Sequence, residues 1–146
     1  MLYASRSAFD SLSAAGKCST FVLGHPRSRR RPPLLLPGGS CLVRVLGHCG
    51  ECHTPRTAMG GPKAESLLGG AKIPEGKVPN ITPTRMQRWK DADFKEYFNS
   101  GTTPGGDLAL EPMSEVINRT TSQWTKEDVD AVIAYLRSVP AQPEPK

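Results

Sequence analysis

The segment Cys49-Gly50-Glu51-Cys52-His53 brings two thiols and an imidazole together within five residues. Three kinds of chemistry use paired cysteines at this spacing: a zinc site, a redox-active dithiol, and a site where haem is attached through thioether bonds. On one helical turn, both sulfurs lie along one side and the histidine follows as the next residue round. The remainder of the sequence has to discriminate between these three.

Zinc and dithiol chemistry find little support elsewhere in the chain. A structural zinc site usually has four Cys or His ligands in two closely spaced pairs. Here there is one pair, and Cys18, His25, Cys41 and His48 stand at no zinc-finger spacing. A thioredoxin-like dithiol lies between a strand and a helix, and the sequence shows no alternating strand pattern. A haem-free zinc or dithiol module is the lesser alternative.

Haem attachment fits the motif directly. Cys-x-x-Cys-His is the pattern of c-type haem, in which both sulfurs form thioethers and the adjacent histidine ligates the iron. We therefore predict one covalent haem c, with Cys49 and Cys52 as anchors and His53 as an iron ligand. The stretch 60–83 is rich in Gly and Pro, and a loop of this length is expected to wrap around something, here a flat apolar cofactor.

A methionine is the best candidate for the second axial ligand. Met113 follows a glycine-containing loop, precedes a short helical stretch, and lies 60 residues beyond His53. Met59 is close to His53 in sequence, and Met86 lies in a charged loop. A thioether ligand raises the reduction potential and leaves the iron closed to substrates. We therefore predict that His53 and Met113 are the metal ligands and that the protein is an electron carrier without catalytic residues. The alternative is a haem enzyme or gas sensor with an open coordination site.

Helical signals dominate what regular structure the sequence indicates. The last helix is expected to have Thr125 as N-cap and Asp128 at the third helical position, with Trp124 packing onto Val129 and with Pro140 as its end. Its apolar stripe also includes Val132, Ile133 and Leu136. Other helices are expected at 40–46, at 91–100 with Asp91 as N-cap and Gly101 after its end, and at 114–120. The fold class predicted is all-α with long loops.

Charge separates the first quarter of the chain from the rest. Residues 1–37 hold six Lys or Arg and one Asp, whereas 38–146 hold 13 of each sign. Nucleic-acid binding by the remainder is therefore not expected. We predict a disordered or non-native segment 1–37, one domain over 38–140, and a tail over 141–146. Neither a signal peptide nor a membrane span is recognisable.

A series of motifs resembles a known family. It comprises GHCGECHTPR (47–56), LGGA (68–71), VPNITP (78–83), Trp89, DADF (91–94), Pro112-Met113 and DAVIAYLRSVP (130–140). In this order, they resemble the class I cytochrome c domains of bacterial membrane-bound alcohol and gluconate dehydrogenases.

The resemblance implies a class I cytochrome c fold with haem c bound by Cys49, Cys52, His53 and Met113. It places Pro79, Asn80, Ile81 and Thr82 in the haem pocket, with Trp89 near the haem edge. It also implies redox partner proteins, with a dehydrogenase as donor and a quinone-side or cytochrome acceptor, in the periplasm or on the periplasmic face of the inner membrane.

The chain departs from the family pattern at its first helix. Family domains begin with a segment resembling RGAYLV, whereas this chain has GGSCLV at 38–43. We therefore expect the surface of Val132, Ile133 and Tyr135 to be partly uncovered. Because haem attachment follows export and no export signal is visible, we also expect that residues 1–37 are not the native start of the chain and that it is a fragment of a longer subunit. A disulfide between Cys18 and Cys41 is an open alternative.

Overall fold

The computed structural model describes residues 37–74 and 76–145. Most of the segment predicted to be disordered or non-native thus lies outside the described residues. The described α-helices are α1 (Pro37–Cys41), α2 (Cys49–His53), α3 (Pro83–Met86), α4 (Asp91–Ser100), α5 (Met113–Arg119) and α6 (Lys126–Ser138). A π-helical turn (Leu42–Leu46) continues α1, and 3₁₀ turns cover Ala64–Ser66 and Thr121–Gln123.

Helix α6 is the centre of the hydrophobic core, and its predicted capping box and apolar stripe are confirmed. Thr125 Oγ1 accepts from the amide of Asp128, and the Asp128 carboxylate accepts from the amide of Thr125, both at 3.2 Å. This reciprocal capping box satisfies two donors that a helix start otherwise leaves unpaired. The helix ends at Ser138, two residues before Pro140. Its predicted apolar stripe is buried: Val129, Val132, Ile133 and Leu136.

Helix α4 forms where expected but begins differently. Asp91 is its first helical residue, and Lys90 is the N-cap, so the predicted cap was wrong by one position. The reason is that Asp93, three residues on, accepts from the Lys90 amide at 2.7 Å and so fixes the start. The helix runs for 10 residues and ends at Gly101 in the left-handed conformation, as predicted.

A small hairpin interrupts the otherwise helical structure. The strands β1 (Ala71–Ile73) and β2 (Gly76–Val78) pair antiparallel, with Ala71 opposite Val78. The sequence did not predict them, since three residues are too few to establish an alternating pattern. The hairpin lies within the Gly- and Pro-rich stretch and turns the chain back towards α2.

The surface of α6 that was expected to be partly uncovered is closed. Val132, Ile133 and Tyr135 are 1%, 4% and 2% exposed, so that expectation was wrong. Helix α1 covers them because Gly39 lies directly on the α6 backbone. A Cβ at Gly39 would overlap the carbonyl of Ala131 and lie 2.9 Å from Tyr135 Cβ. Gly39, where the family pattern also has glycine, therefore allows a close crossing, and Cys41 in place of the family tyrosine does not uncover the α6 surface.

Within the described ranges, no helix is long and apolar enough to cross a lipid bilayer. Helix α6 has 13 residues, whereas a span needs about 20.

The close crossing of α1 and α6 gives a first prediction. Gly39→Ala should lower the free energy of unfolding by about 1–3 kcal/mol, because the added methyl group must displace backbone atoms of α6. Urea unfolding followed by far-ultraviolet circular dichroism measures the change. Gly61→Ala is the matched control, since the nearest atom to a Cβ there, Thr57 Oγ1, is 3.6 Å away. Equal stability of the two variants would contradict the proposed close contact.

Candidate haem attachment site

The whole Cys49–His53 motif forms one short helix, α2. Both thiols are free and half-buried, and Cys49 packs against the hydrophobic core. His48 before the helix adopts a left-handed backbone conformation, with φ of 49°. The turn therefore presents two unoxidised sulfurs at the edge of the core, with the His53 ring directly after them.

The His53 ring is held by a backbone carbonyl. Its Nδ1 donates to the Pro79 carbonyl oxygen at 2.8 Å. A carbonyl cannot donate, so the proton must lie on Nδ1, and Nε2 keeps a free lone pair. Among the described residues, none forms a hydrogen bond with Nε2. Every solvent-inaccessible side-chain nitrogen or oxygen in this part of the chain has a partner, so Nε2 must be accessible to solvent. This is the tautomer and orientation of a histidine that ligates a metal.

The backbone around His53 is fixed by a frame built from residues 68–81. The His53 carbonyl accepts from the Gly70 amide at 2.8 Å, and Thr54 Oγ1 accepts from the Leu68 amide at 3.1 Å. The Leu68 carbonyl accepts from the Ile81 amide at 3.0 Å. Gly70 has φ of +86°, and a Cβ there would lie 2.8 Å from the Asn80 nitrogen. Only glycine lets the two sides of the frame approach this closely.

The predicted haem-pocket residues differ in their surroundings. Pro79 is exposed and contributes its carbonyl, whereas Asn80 and Thr82 are fully buried. Asn80 Oδ1 accepts from the Thr82 amide at 2.8 Å and from the Thr82 hydroxyl at 2.7 Å. Ile81 is half-buried and packs against the core. Asn80 and Thr82 therefore hold the loop in place from within.

Gln142 completes this network, and sequence reasoning missed it. Its carbonyl accepts from Asn80 Nδ2 at 2.9 Å, and its amide donates to Thr82 Oγ1 at 3.0 Å. Both contacts use backbone atoms of Gln142, so the residue type carried no signal. The segment taken for a tail beyond residue 140 is thus part of the packed structure.

Trp89 packs in an aromatic cluster. Its ring centroid lies 5.2 Å from that of Phe94 and 5.4 Å from that of Tyr97. Edge and tilted contacts at this separation stabilise a core. The structure therefore shows a packing role for Trp89, and its closeness to the haem stays a prediction.

The electrostatics of α2 do not favour the competing chemistries. Burial raises the pKa of Cys49 to about 11, whereas a reactive dithiol needs a lowered pKa. Burial also lowers the pKa of His53, although the hydrogen bond to Pro79 acts in the opposite direction. The lowered pKa favours the neutral ring, which is the form that ligates a metal. Across residues 37–74 and 76–145, no group of three or more His, Cys, Asp or Glu side chains could hold a metal ion. The donor set fits covalent haem better than zinc.

The methionines fall into distinct environments. Met113 is half-buried and is the first residue of α5. Met59 is 98% exposed, and Met86 is buried in the core on α3. Helix α5 packs against α4 and the second 3₁₀ turn, whereas α2 packs against the π-helical turn and β1. Met113 and His53 therefore come from separately packed regions, and Met113 as an iron ligand stays a prediction.

Comparison with known proteins identifies the family of this chain. The cytochrome c family model matches residues 44–140. A diheme cytochrome c-type protein of Cereibacter sphaeroides is 48% identical over 105 residues, 70% of this chain and 35% of that protein. The cytochrome subunit of fructose dehydrogenase from Gluconobacter japonicus is 39% identical over 109 residues, 73% of this chain and 22% of its own length.

The cytochrome c subunit of a quinone alcohol dehydrogenase from Gluconobacter oxydans is 35% identical over 118 residues, 74% of this chain and 24% of its length. The chain thus spans about a third or less of these relatives. The resemblance read from the motifs and the predicted fold class are confirmed. This chain belongs to the cytochrome c family, and its cofactor is covalently bound haem c.

Proposed function

We propose that this chain carries single electrons through one haem c, held by thioether bonds from Cys49 and Cys52 and ligated by His53 and Met113. The observation that supports this most strongly is the His53 ring, fixed through Nδ1 with Nε2 free, directly after two free thiols on one helical turn. Haem, when bound, supplies an iron centre that gains or loses one electron at a time.

The protein's part in this function is to hold the ligands and exclude water. The Pro79 carbonyl fixes the His53 ring and makes Nε2 more basic, which favours oxidised iron. The Met113 thioether has the opposite effect, because soft sulfur favours reduced iron. With two protein ligands the iron offers no position for a substrate, and the chain acts as a carrier with no catalytic residue of its own.

We further propose that the domain over 38–140 is a relay in a quinone-linked dehydrogenase or respiratory chain on the periplasmic side of the membrane. The matched relatives named as cytochrome subunits of fructose and alcohol dehydrogenases support such redox partners. Cys41 is disulfide-bonded, and disulfides persist in oxidising compartments such as the periplasm. Cys18, its suggested partner, lies outside the described residues.

The thioether anchors can be tested by covalent haem retention. Expressed in a periplasm with haem-attachment machinery, the double variant Cys49→Ala/Cys52→Ala should lose haem staining on a denaturing gel, because only thioether bonds survive denaturation. Glu51→Ala is the control within the same motif. Its side chain is exposed and pairs with Arg56, so haem should stay attached. Covalent haem in the double variant would refute both anchors.

The sixth ligand can be tested by optical spectroscopy. Met113→Ala should keep its covalent haem, lose the weak sulfur-to-iron charge-transfer band in the near infrared, bind carbon monoxide readily, and have a lower reduction potential. Met59→Ala is the matched control, since the Met59 side chain is almost fully exposed. If the wild type already lacks the band and binds carbon monoxide, the open-site enzyme or gas sensor is the better assignment.

The relay role requires a direct kinetic test. A quinone-linked alcohol, fructose or gluconate dehydrogenase stripped of its cytochrome subunit should reduce the haem-loaded chain when its own substrate is added. Stopped-flow absorbance measures the reduction, with the same mixture lacking substrate as the control. Reduction no faster than this control, with each of the three enzymes, would contradict the proposed pathway while leaving electron transfer itself intact.

A further inference from the structure

We infer that the C-terminal segment 141–143 is a positioning element for the His53 ligand. It holds, through Asn80 and Thr82, the loop whose Pro79 carbonyl accepts a hydrogen bond from His53 Nδ1. The inference rests on the proposed function, in which the His53 ring sets the properties of the iron. It assigns a role in the site to residues beyond the matched family region 44–140.

Gln142 pairs with the buried loop through its backbone. Asn80 Nδ2 donates to the Gln142 carbonyl at 2.9 Å, and the Gln142 amide donates to Thr82 Oγ1 at 3.0 Å. Asn80 and Thr82 are both 0% exposed. Buried polar groups need partners, and here the backbone of one C-terminal residue supplies a partner to each.

The C-terminal segment touches both sides of the frame around His53. A Cβ at Gly69 would lie 3.1 Å from Gln142 Cβ, so the Gln142 side chain packs directly on Gly69. The neighbouring Gly70 amide holds the His53 carbonyl. Gln142 is therefore one residue removed from both fixed points of His53: Gly70, which binds its backbone, and Pro79, which binds its ring.

Pro79 cannot fix its own carbonyl. Proline has no amide hydrogen, and Pro79 is exposed, so its own backbone donates no hydrogen bond that could fix the carbonyl. Its position depends on its neighbours, among them Asn80, whose side chain is held by Gln142. If Gln142 withdraws, Asn80 Nδ2 loses its acceptor at 2.9 Å, Thr82 Oγ1 loses the donor at 3.0 Å, and water can enter. The Pro79 carbonyl then moves, and the hydrogen bond that raises the basicity of the His53 ring weakens.

The decisive variant changes one backbone donor. Gln142→Pro removes the amide that donates to Thr82 Oγ1, whereas Gln142→Ala keeps the amide, the carbonyl and the Cβ. In the haem-loaded full chain, Gln142→Pro should raise the reduction potential and speed exchange of the His53 Nδ1 proton at least tenfold, measured by NMR. Gln142→Ala should match the wild type in both measurements.

A second pair of variants tests the same prediction without the proline, because the local structure could adjust to a proline at position 142. A chain ending at Pro140 lacks the whole positioning element and should show the same two changes. A chain ending at Pro143 keeps Gln142 and loses residues 144–146. Among these, Glu144 is exposed and its carboxylate lies 4.0 Å from Arg85, so this chain should resemble the wild type.

The outcomes separate this inference from the proposed function. If Gln142→Pro and the chain ending at Pro140 melt at lower temperature but keep the wild-type potential and proton exchange, the segment is only a structural brace and the inference is wrong. If the wild type attaches no haem, the proposed function fails. The exchange rate of the Nδ1 proton in the haem-free chain then still decides whether the segment positions His53.

Discussion

The structure of the site depends on one hydrogen bond, from His53 Nδ1 to the Pro79 carbonyl. It spans 26 residues of sequence and closes the Gly- and Pro-rich stretch into a loop around α2. Such a loop has little regular structure, so ordering it costs conformational entropy, which this bond helps to offset. The bond also selects the tautomer of His53, so the same contact orders the loop and prepares the ring to ligate.

Around this bond, the chain buries polar side chains and provides each of them with a hydrogen-bond partner. Asn80, Thr82 and Thr54 are buried, and each has a partner on another segment. In the described part of the chain, every solvent-inaccessible polar atom of a side chain has a hydrogen-bond partner. Fully satisfied networks are rigid because any displacement exposes an unpaired group in a low-dielectric interior. A rigid, dry ligand frame suits electron transfer, in which the charge of the iron changes and its surroundings should move little.

Much of this could be predicted from sequence where the signals are local. The attachment motif and the Thr125–Asp128 capping box are each complete within five residues, and the capping box formed as expected. The hairpin was missed because its strands are too short to show a period. The covering of α6 by α1 was misjudged because Cys41, in place of the family tyrosine, suggested a lost contact, whereas the close approach of the two backbones at Gly39 keeps the surface covered. Gln142 was invisible because it acts through its backbone.

The C-terminal end of the chain connects the helical core, which is the helical half of the molecule, with the frame around His53. Helix α6 buries its stripe against α1 and α4 and so stabilises the helical half. Arg137, near its end, donates to the Trp89 carbonyl and thereby fixes the start of α4. Four residues after α6 ends, Gln142 reaches the frame around His53. Because there is so little chain between Ser138 and Gln142, the frame can move only as far as the end of α6 allows. The stability of the helical core and the geometry of the iron ligand are therefore properties of one continuous segment.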